Sequence, residues 1–153
     1  PAGEVLPGKM QWRKPFTRIM AAHDIPYVAQ AAAHNYRDLM TKVKKAFAAD
    51  GPAVLNILTP CPRGWRHGGE VTMSISKLAA DTCYWPLYEV DHGKLTITYK
   101  PRQKLPVTEW LKAQGRFSHL FRPANAWVLE EIQARVDREW EQLLKEEASS
   151  AGS

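Results

Sequence analysis

Cysteine is scarce in this sequence. The chain of 153 residues holds only two cysteines, Cys61 and Cys83, which argues against a disulfide framework. Their scarcity favours a reducing compartment, so we expect a cytoplasmic protein. Long apolar runs are also missing, because no stretch reaches the length of a membrane span and no secretory signal peptide is recognisable. The sequence therefore predicts neither a disulfide-stapled secreted domain nor a membrane-spanning protein.

The common short motifs of nucleotide and metal sites are absent as well. The sequence has no Gly-x-Gly-x-x-Gly, no Walker loop, no paired Cys-x-x-Cys and no His-Glu-x-x-His. The glycines at 64, 68 and 69 indicate a flexible loop, because no Lys-Ser/Thr pair follows them as in a phosphate-binding loop. Four histidines are scattered without the spacing of a metal site: His23, His34, His92 and His119.

What the chain does contain is typical of a globular domain with a real core. Hydrophobic residues make up 44% of the sequence and charged residues 24%. The net charge of +5 comes from 21 Lys and Arg against 16 Asp and Glu. This excess is modest and spread out, so it does not indicate nucleic-acid binding and fits an acidic partner equally well. The sequence opens on Pro1 without an initiator Met, and we expect it to be a piece of a longer protein.

The first half of the chain predicts two strands joined by a helix. Residues 1–15 carry three prolines and two glycines, which favours an irregular arm, and a short helix should then run to about His23. A strand is expected over 25–32, and the apolar run 53–58 predicts a second, buried strand. Because a helix capped by Asn35 separates the two strands, they should form a βαβ unit and pair in parallel.

This connecting helix has two faces of different chemistry. Five residues form its apolar face, which we expect to point towards the core: Tyr36, Leu39, Met40, Val43 and Phe47. The other face carries Lys42, Lys44 and Lys45. These lysines are interpreted as a solvated face, with a docking patch for an acidic partner as the alternative.

The second half predicts two helices, a hairpin and a long final helix. Residues 71–83 support a helix, near whose end Cys83 should serve only for packing. Two alternating runs over 87–99 predict a hairpin that turns at Asp91-His92-Gly93. A short helix is expected over 107–117, and a longer one should follow, capped by Asn125 and carrying mixed charge on its outer side. Globular structure should span 16–147, and the small-residue tail 148–153 should be disordered.

The loop after the second strand is the most informative stretch. Cys61 lies between Pro60 and Pro62 at the carboxyl end of that strand, and ligands in open α/β sheets bind at this edge. A thiolate there is able to ligate a metal or an iron–sulfur cluster, but it supplies one ligand of four. The alternative is a small buried residue in a stiff turn. His67 is a possible second ligand, and Trp65 either shields a cofactor from water or caps the core edge.

Several segments together resemble a known family. They are 22–30 (AHDIPYVAQ), 38–46 (DLMTKVKKA), 60–65 (PCPRGW), 85–89 (WPLYE) and 114–120 (QGRFSHL). In this order they resemble the thiamine-diphosphate-binding β subunits of the 2-oxoacid:ferredoxin oxidoreductases, such as pyruvate synthase. The resemblance covers nearly all of residues 1–147. It implies the C-terminal half of such a subunit, because the family's Mg²⁺–diphosphate motif and Cys-x-x-Cys pair lie upstream.

The resemblance carries expectations for fold and cofactors. The fold would be α/β, part of a thiamine-diphosphate-binding domain with a parallel sheet, a small hairpin and a long C-terminal helix. Cys61 matches the fourth cysteine ligand of the [4Fe–4S] cluster nearest the thiamine, whereas Cys83 matches no ligand and stays structural. Thiamine diphosphate and Mg²⁺ would be bound mainly by the upstream half. No catalytic residue is assigned within these 153 residues.

The resemblance also implies an activity and a set of partners. The activity would be the coenzyme A-dependent oxidative decarboxylation of a 2-oxoacid, with electrons passing from thiamine diphosphate through the cluster to ferredoxin. Pyruvate is the expected substrate, and an aryl 2-oxoacid such as phenylglyoxylate is the alternative. The partners would be the upstream half and further subunits of alpha, gamma and delta type. A second hypothesis is a cofactor-free α/β interaction module that docks an acidic protein through its basic helix face.

Overall fold

A single mixed sheet carries the candidate site. The computed structural model describes residues 11–150, and its strands are β1 (Tyr27–Ala32), β2 (Ala53–Leu58), β3 (Leu87–Asp91) and β4 (Lys94–Tyr99). They lie in the order β2-β1-β3-β4. β1 and β2 pair in parallel, whereas β1–β3 and β3–β4 are antiparallel. The predicted α/β class, parallel pair and hairpin are therefore confirmed, and the hairpin extends the same sheet.

Six α-helices surround this sheet within the described residues. They are α1 (Phe16–Ala21), α2 (Tyr36–Ala48), α3 (Pro62–Trp65), α4 (Thr72–Asp81), α5 (Val107–Lys112) and α6 (Ala126–Ser150). Three 3₁₀ segments join them: Gly69–Val71, Gly115–Phe121 and Pro123–Asn125. None of the helices within residues 11–150 is long and apolar enough to cross a membrane.

Element ends differ from the predicted ones in three places. α5 ends at Lys112 rather than near 117, and the chain continues as a 3₁₀ segment from Gly115. α6 continues to Ser150, where a disordered tail from 148 was predicted, because the Ser150 hydroxyl donates to the carbonyl of Leu95 (3.0 Å). Asn125 lies in the 3₁₀ turn before α6, and its side-chain amide donates to the carbonyl of His119 (2.8 Å). The arm over residues 1–10 and the tail over 151–153 lie outside the described residues.

The two faces of the sheet are covered by different helices. Tyr27 donates to Glu89 (2.6 Å), and Lys45 of α2 forms an ion pair with the same carboxylate. Gln30 points to the other face, because successive side chains of a strand alternate. There its side-chain oxygen accepts from Thr17 of α1 (2.8 Å). α2 therefore covers one face, and α1 lies on the other.

The orientation predicted for α2 was wrong. Lys42 is fully buried, and its ammonium donates to the carbonyl of Gln30 (2.9 Å), Asp38 (2.7 Å) and the hydroxyl of Thr98 (2.8 Å). Burial lowers the pKa of this lysine, while Asp38 opposes that shift. The predicted apolar face is instead largely exposed, at Tyr36 (59%), Met40 (56%) and Phe47 (89%). Three acceptors allow the lysine to lie inward, because its long apolar stem packs while its charge is satisfied.

The largest apolar cluster lies beyond the sheet, among α4, α5 and α6. Trp110 is its largest buried member, and the Tyr84 ring stacks on it with centroids 4.1 Å apart. Cys83 is part of this cluster and only 3% exposed. Burial raises the pKa of the Cys83 thiol to about 12, so this thiol stays protonated at neutral pH. The structure confirms that Cys83 is a packing residue.

Candidate functional site

Cys61 leaves the sheet at the carboxyl end of β2 and begins a short helical turn. Pro60 is buried, and Cys61 has an extended backbone (φ −103°, ψ 111°) at the N-cap position of α3. Pro62 occupies the first helical position, where its fixed φ suits the turn. The turn closes with a hydrogen bond from the amide of Trp65 to the carbonyl of Cys61 (2.8 Å), and Arg66 ends it with φ +57°.

The thiol of Cys61 is free and exposed. It makes no capping hydrogen bond to α3. Arg63 and Gly64 follow it at helix positions whose amides have no partner within a helix. A Cβ atom at Gly64 would lie only 3.5 Å from Sγ, which shows how closely the sulfur approaches this backbone. The alternative of a buried cysteine in a stiff turn is therefore wrong.

At this site the described residues offer one cysteine thiol, that of Cys61, whereas a four-thiolate site needs four. Cys83 is the other cysteine, and it lies buried in the cluster around Trp110. Among residues 11–150, no group of three or more His, Cys, Asp and Glu side chains is arranged to hold a metal ion. An iron–sulfur cluster at Cys61 would accordingly take its other ligands from outside the described residues.

A 3₁₀ segment about fifty residues further along the chain, Gly115–Phe121, holds the Cys61 loop in place. The amide of Gly115 donates to the carbonyl of Arg66 (3.1 Å), and the Arg116 guanidinium lies 4.0 Å from the centroid of the Trp65 ring. Trp65 packs edge-on against Trp110, with ring centroids 5.9 Å apart. Trp65 thus caps the core edge, and two contacts from residues about fifty positions away fix the end of the loop.

His67 is oriented by its own neighbour. Its Nδ1 lies 2.7 Å from the carbonyl oxygen of Gly68, so Nδ1 must carry the proton and donate. In the neutral imidazole Nε2 is then an acceptor, and this atom is shielded from solvent without a partner among the described residues. Pro62, Arg63, Arg66, His67 and Gly68 line an open depression of about 540 Å³ beside the loop. A metal-binding pair of Cys61 and His67 stays a prediction.

Replacing Gly115 by alanine should loosen the Cys61 loop. A Cβ atom at this position would lie 2.8 Å from the carbonyl oxygen of Arg66, so the backbone contact must open. We expect the free energy of unfolding to fall by about 1–3 kcal/mol, as for other overpacked sites. Urea unfolding measures this loss, and tryptic cleavage after Arg66 should become faster.

Gly69→Ala is the matched control, because nothing lies within 4 Å of a Cβ atom at Gly69. Equal stability and equal cleavage rates in the Gly115→Ala and Gly69→Ala proteins would show that the Gly115 contact does not hold the loop.

No family model matches the chain, but several curated proteins are similar to it in sequence. The chain is 49% identical over 145 residues to the pyruvate synthase subunit PorB of Thermotoga maritima, covering 94% of this chain and 45% of that protein. It is 47% identical over 120 residues to PorB of Methanocaldococcus jannaschii (78% and 40% covered). The ketoisovalerate oxidoreductase subunit VorB of Pyrococcus abyssi is 38% identical over 135 residues (87% and 42% covered).

The chain spans less than half the length of each of these curated relatives. The matches nevertheless extend over most of the described residues and include relatives named for two different 2-oxoacids. The homologues of this chain are thus named as 2-oxoacid oxidoreductase subunits, and it is similar to the PorB subunits of pyruvate synthases over most of its own length.

Proposed function

We propose that this chain is part of the thiamine-dependent β subunit of a 2-oxoacid:ferredoxin oxidoreductase, and that Cys61 supplies one thiolate to its [4Fe–4S] cluster. The observation that carries this proposal is the free, exposed thiol of Cys61 at the carboxyl end of β2. Ligands of open α/β sheets bind at this edge. The names of the relatives supply the reaction class.

The proposed reaction is the coenzyme A-dependent oxidative decarboxylation of a 2-oxoacid. Pyruvate is favoured over an aryl 2-oxoacid, since the relatives with 45–49% identity are named pyruvate synthase subunits. A bound [4Fe–4S] cluster supplies one-electron transfer, here towards ferredoxin. Thiamine diphosphate and Mg²⁺ are assigned to the remainder of the subunit.

The residues of this chain would position and tune the cluster. Cys61 would bind iron through Sγ, and the amides of Arg63 and Gly64, which have no partner within the helix, would be donors for sulfur. The exposed Arg63 and Arg66 side chains add positive charge beside an anionic thiolate site. Trp65, held between Trp110 and Arg116, would keep water from one side of the loop.

The proposal predicts the cofactor content of the assembled enzyme. An oxidoreductase produced with a subunit of the relatives' length should contain iron, acid-labile sulfide and thiamine. It should also reduce ferredoxin only when both pyruvate and coenzyme A are present. An assembly that lacks both cofactors would overturn the proposal.

One edge of the fold is open and would receive the remainder of the subunit. β2 pairs only with β1 among the described strands, so its outer backbone groups have no strand partner there. This strand (AVLNIL) carries no proline and no charge, which are the usual protections of an edge strand. Ile57 of β2 is 40% exposed. Such an edge is suited to pairing with a further strand.

The apolar stripe of α2, formed by Tyr36, Met40 and Phe47, is a second exposed apolar surface. Lys42 and Lys45 of α2 bind Thr98 of β4 and Glu89 of β3. At 100° per residue, the stripe lies on the opposite side of the helix from these lysines. It therefore faces away from β3 and β4.

We assign this combined surface to the part of the subunit that the relatives have in addition. The chain covers only 40–48% of each relative, so ample sequence remains to supply a strand beside β2 and a helix against the α2 stripe. The alternative of a basic docking face has lost support, because Lys42 is buried and Lys45 is paired with Glu89.

Phe47→Glu should disrupt this association. A carboxylate in the middle of a desolvated apolar contact has no partner, so we expect the subunit to lose its assembly with the other subunits or its solubility. Native mass spectrometry of the co-expressed subunits measures the outcome. Lys44→Glu, a charge change on an exposed residue of the same helix, is the control and should assemble normally. Normal assembly of both variants would contradict the assignment.

A further inference from the structure

A second cavity lies on the other face of the sheet, away from the Cys61 loop. It has a volume of about 320 Å³ and lies between the segment 12–16, β1, β2 and α6. None of its lining residues belongs to the loop 60–69. Its volume is at the lower end of the range for small-molecule sites, about 300–1,000 Å³.

The lining of this second cavity is strongly cationic, and we call it the basic cavity. Five basic side chains and a single carboxylate, Glu139, contribute to it; the basic residues are Arg13, Lys14, Arg18, Arg135 and Arg138. Two of the five are neutralised by ion pairs, Arg18 with Glu146 (2.8 Å) and Arg135 with Glu139 (3.0 Å). The other three have no carboxylate partner within residues 11–150.

The three unneutralised cations differ in how firmly they are held. The Arg13 guanidinium donates to the carbonyl of Tyr84 and lies 4.5 Å from the centroid of that ring, so its position is fixed while its charge is unbalanced. Lys14 and Arg138 are exposed, and their side chains make no hydrogen bond with a described residue. One fixed and two adaptable cations around a cavity suit a ligand with more than one negative charge.

Aromatic and neutral polar groups complete the lining. Trp12, Phe16, Trp85 and Tyr88 supply ring surfaces. The indole N–H of Trp12 is shielded from solvent and has no acceptor among the described residues, although buried donors are normally paired. Gln30 is already bonded to Thr17 and to the carbonyl of Pro86, and the Asn56 amide donates to Thr17 (3.0 Å), so the side-chain oxygen of Asn56 is the acceptor that these strands offer a ligand. A planar ring would find stacking surfaces here, and its polar atoms would find hydrogen-bonding groups.

We propose that the basic cavity binds a phosphate monoester that carries a planar ring, with Lys14 and Arg138 on the phosphate and the aromatic side chains against the ring. A phosphate monoester carries close to two negative charges at neutral pH, which matches the unneutralised cations better than a single carboxylate does. The inference does not depend on the chemistry proposed for Cys61, since the two sites share no residue.

Isothermal titration calorimetry on the assembled oxidoreductase tests the proposal with three probes: adenosine monophosphate, adenosine and inorganic phosphate. Adenosine monophosphate should bind most tightly and inorganic phosphate more weakly, whereas adenosine should show no measurable binding. Arg138→Ala should weaken the binding of adenosine monophosphate about tenfold, the effect of losing one charge-assisted contact. Arg138→Glu should abolish this binding.

Lys44→Ala removes an exposed lysine from α2 and should leave the affinity unchanged, which controls for the overall charge of the protein. Three results would each overturn the proposal: no saturable binding of adenosine monophosphate, equal affinity for adenosine and adenosine monophosphate, or an unchanged affinity in Arg138→Ala. Iron and thiamine analyses of the same preparation report separately on the proposed function.

Discussion

Cys61→Ser is expected to strip iron from the assembled oxidoreductase. A serine hydroxyl is a harder and poorer ligand for cluster iron than a thiolate, so the cluster that Cys61 is proposed to bind should be lost or become labile. Ferredoxin reduction should then collapse, even if thiamine diphosphate remains bound. Iron per assembly, the visible absorption of the oxidised cluster and acceptor reduction measure the effect.

Cys83→Ser provides the matched control, because it exchanges the same sulfur atom for oxygen in the same fold. Cys83 is buried in an apolar cluster, so a serine there should lower stability by about 1–3 kcal/mol if its hydroxyl stays unpaired, without removing iron. Full iron content and normal turnover in the Cys61→Ser enzyme would refute the ligand assignment. The loop would then be a structural turn.

The parallel pair and the hairpin were predictable because their signals are local. The run over 53–58 is apolar and bounded by Gly-Pro and Pro, and the helix between the two strands begins with an asparagine whose side chain caps it. At the hairpin turn, His92 and Gly93 both adopt positive φ (47° and 82°). Two-residue hairpin turns require such angles and favour glycine or asparagine, so Gly93 between two alternating runs indicates the turn in the sequence. Short-range chemistry decides these elements.

The orientation of α2 was not predictable in this way. Its apolar stripe obeys the helical period, and the usual inference turns such a stripe towards the core. That inference assumes that the core lies within the described residues. Here the stripe is largely exposed, and the helix packs through Lys42, whose acceptors come from β1, β4 and its own turn. A lysine with three acceptors is not visible in a hydrophobic pattern.

The candidate site shows the same division between local and distant signals. The two prolines around Cys61 and its place after a strand indicated the loop and the reactive atom. The contacts that hold the loop, from Gly115 and Arg116, come from residues about fifty positions away. In the sequence, the stretch 114–120 is visible as a point of family resemblance, and its first residues as the end of a predicted helix. Its physical role is the close backbone approach that a Cβ atom at Gly115 would prevent.

Lys42→Met should cause the largest loss of stability of any single change considered for this chain. Methionine keeps the apolar stem but removes the ammonium, leaving the Asp38 carboxylate, which is only 10% exposed, without its partner. The carbonyl of Gln30 and the hydroxyl of Thr98 lose a donor as well. Breaking one partner of a buried ion pair costs about 3–5 kcal/mol, and urea unfolding of the intact subunit measures it.

Two further variants separate the charge effect from packing. Lys44→Met changes an exposed lysine of the same helix and should alter stability by no more than about 0.5 kcal/mol. Lys42→Met combined with Asp38→Leu removes both charges, so it should recover part of the loss, because no buried carboxylate is left unpaired. If Lys42→Met unfolds at the same urea concentration as Lys44→Met, the buried ammonium does not hold α2 against the sheet. α2 would then be free to turn its apolar stripe inward.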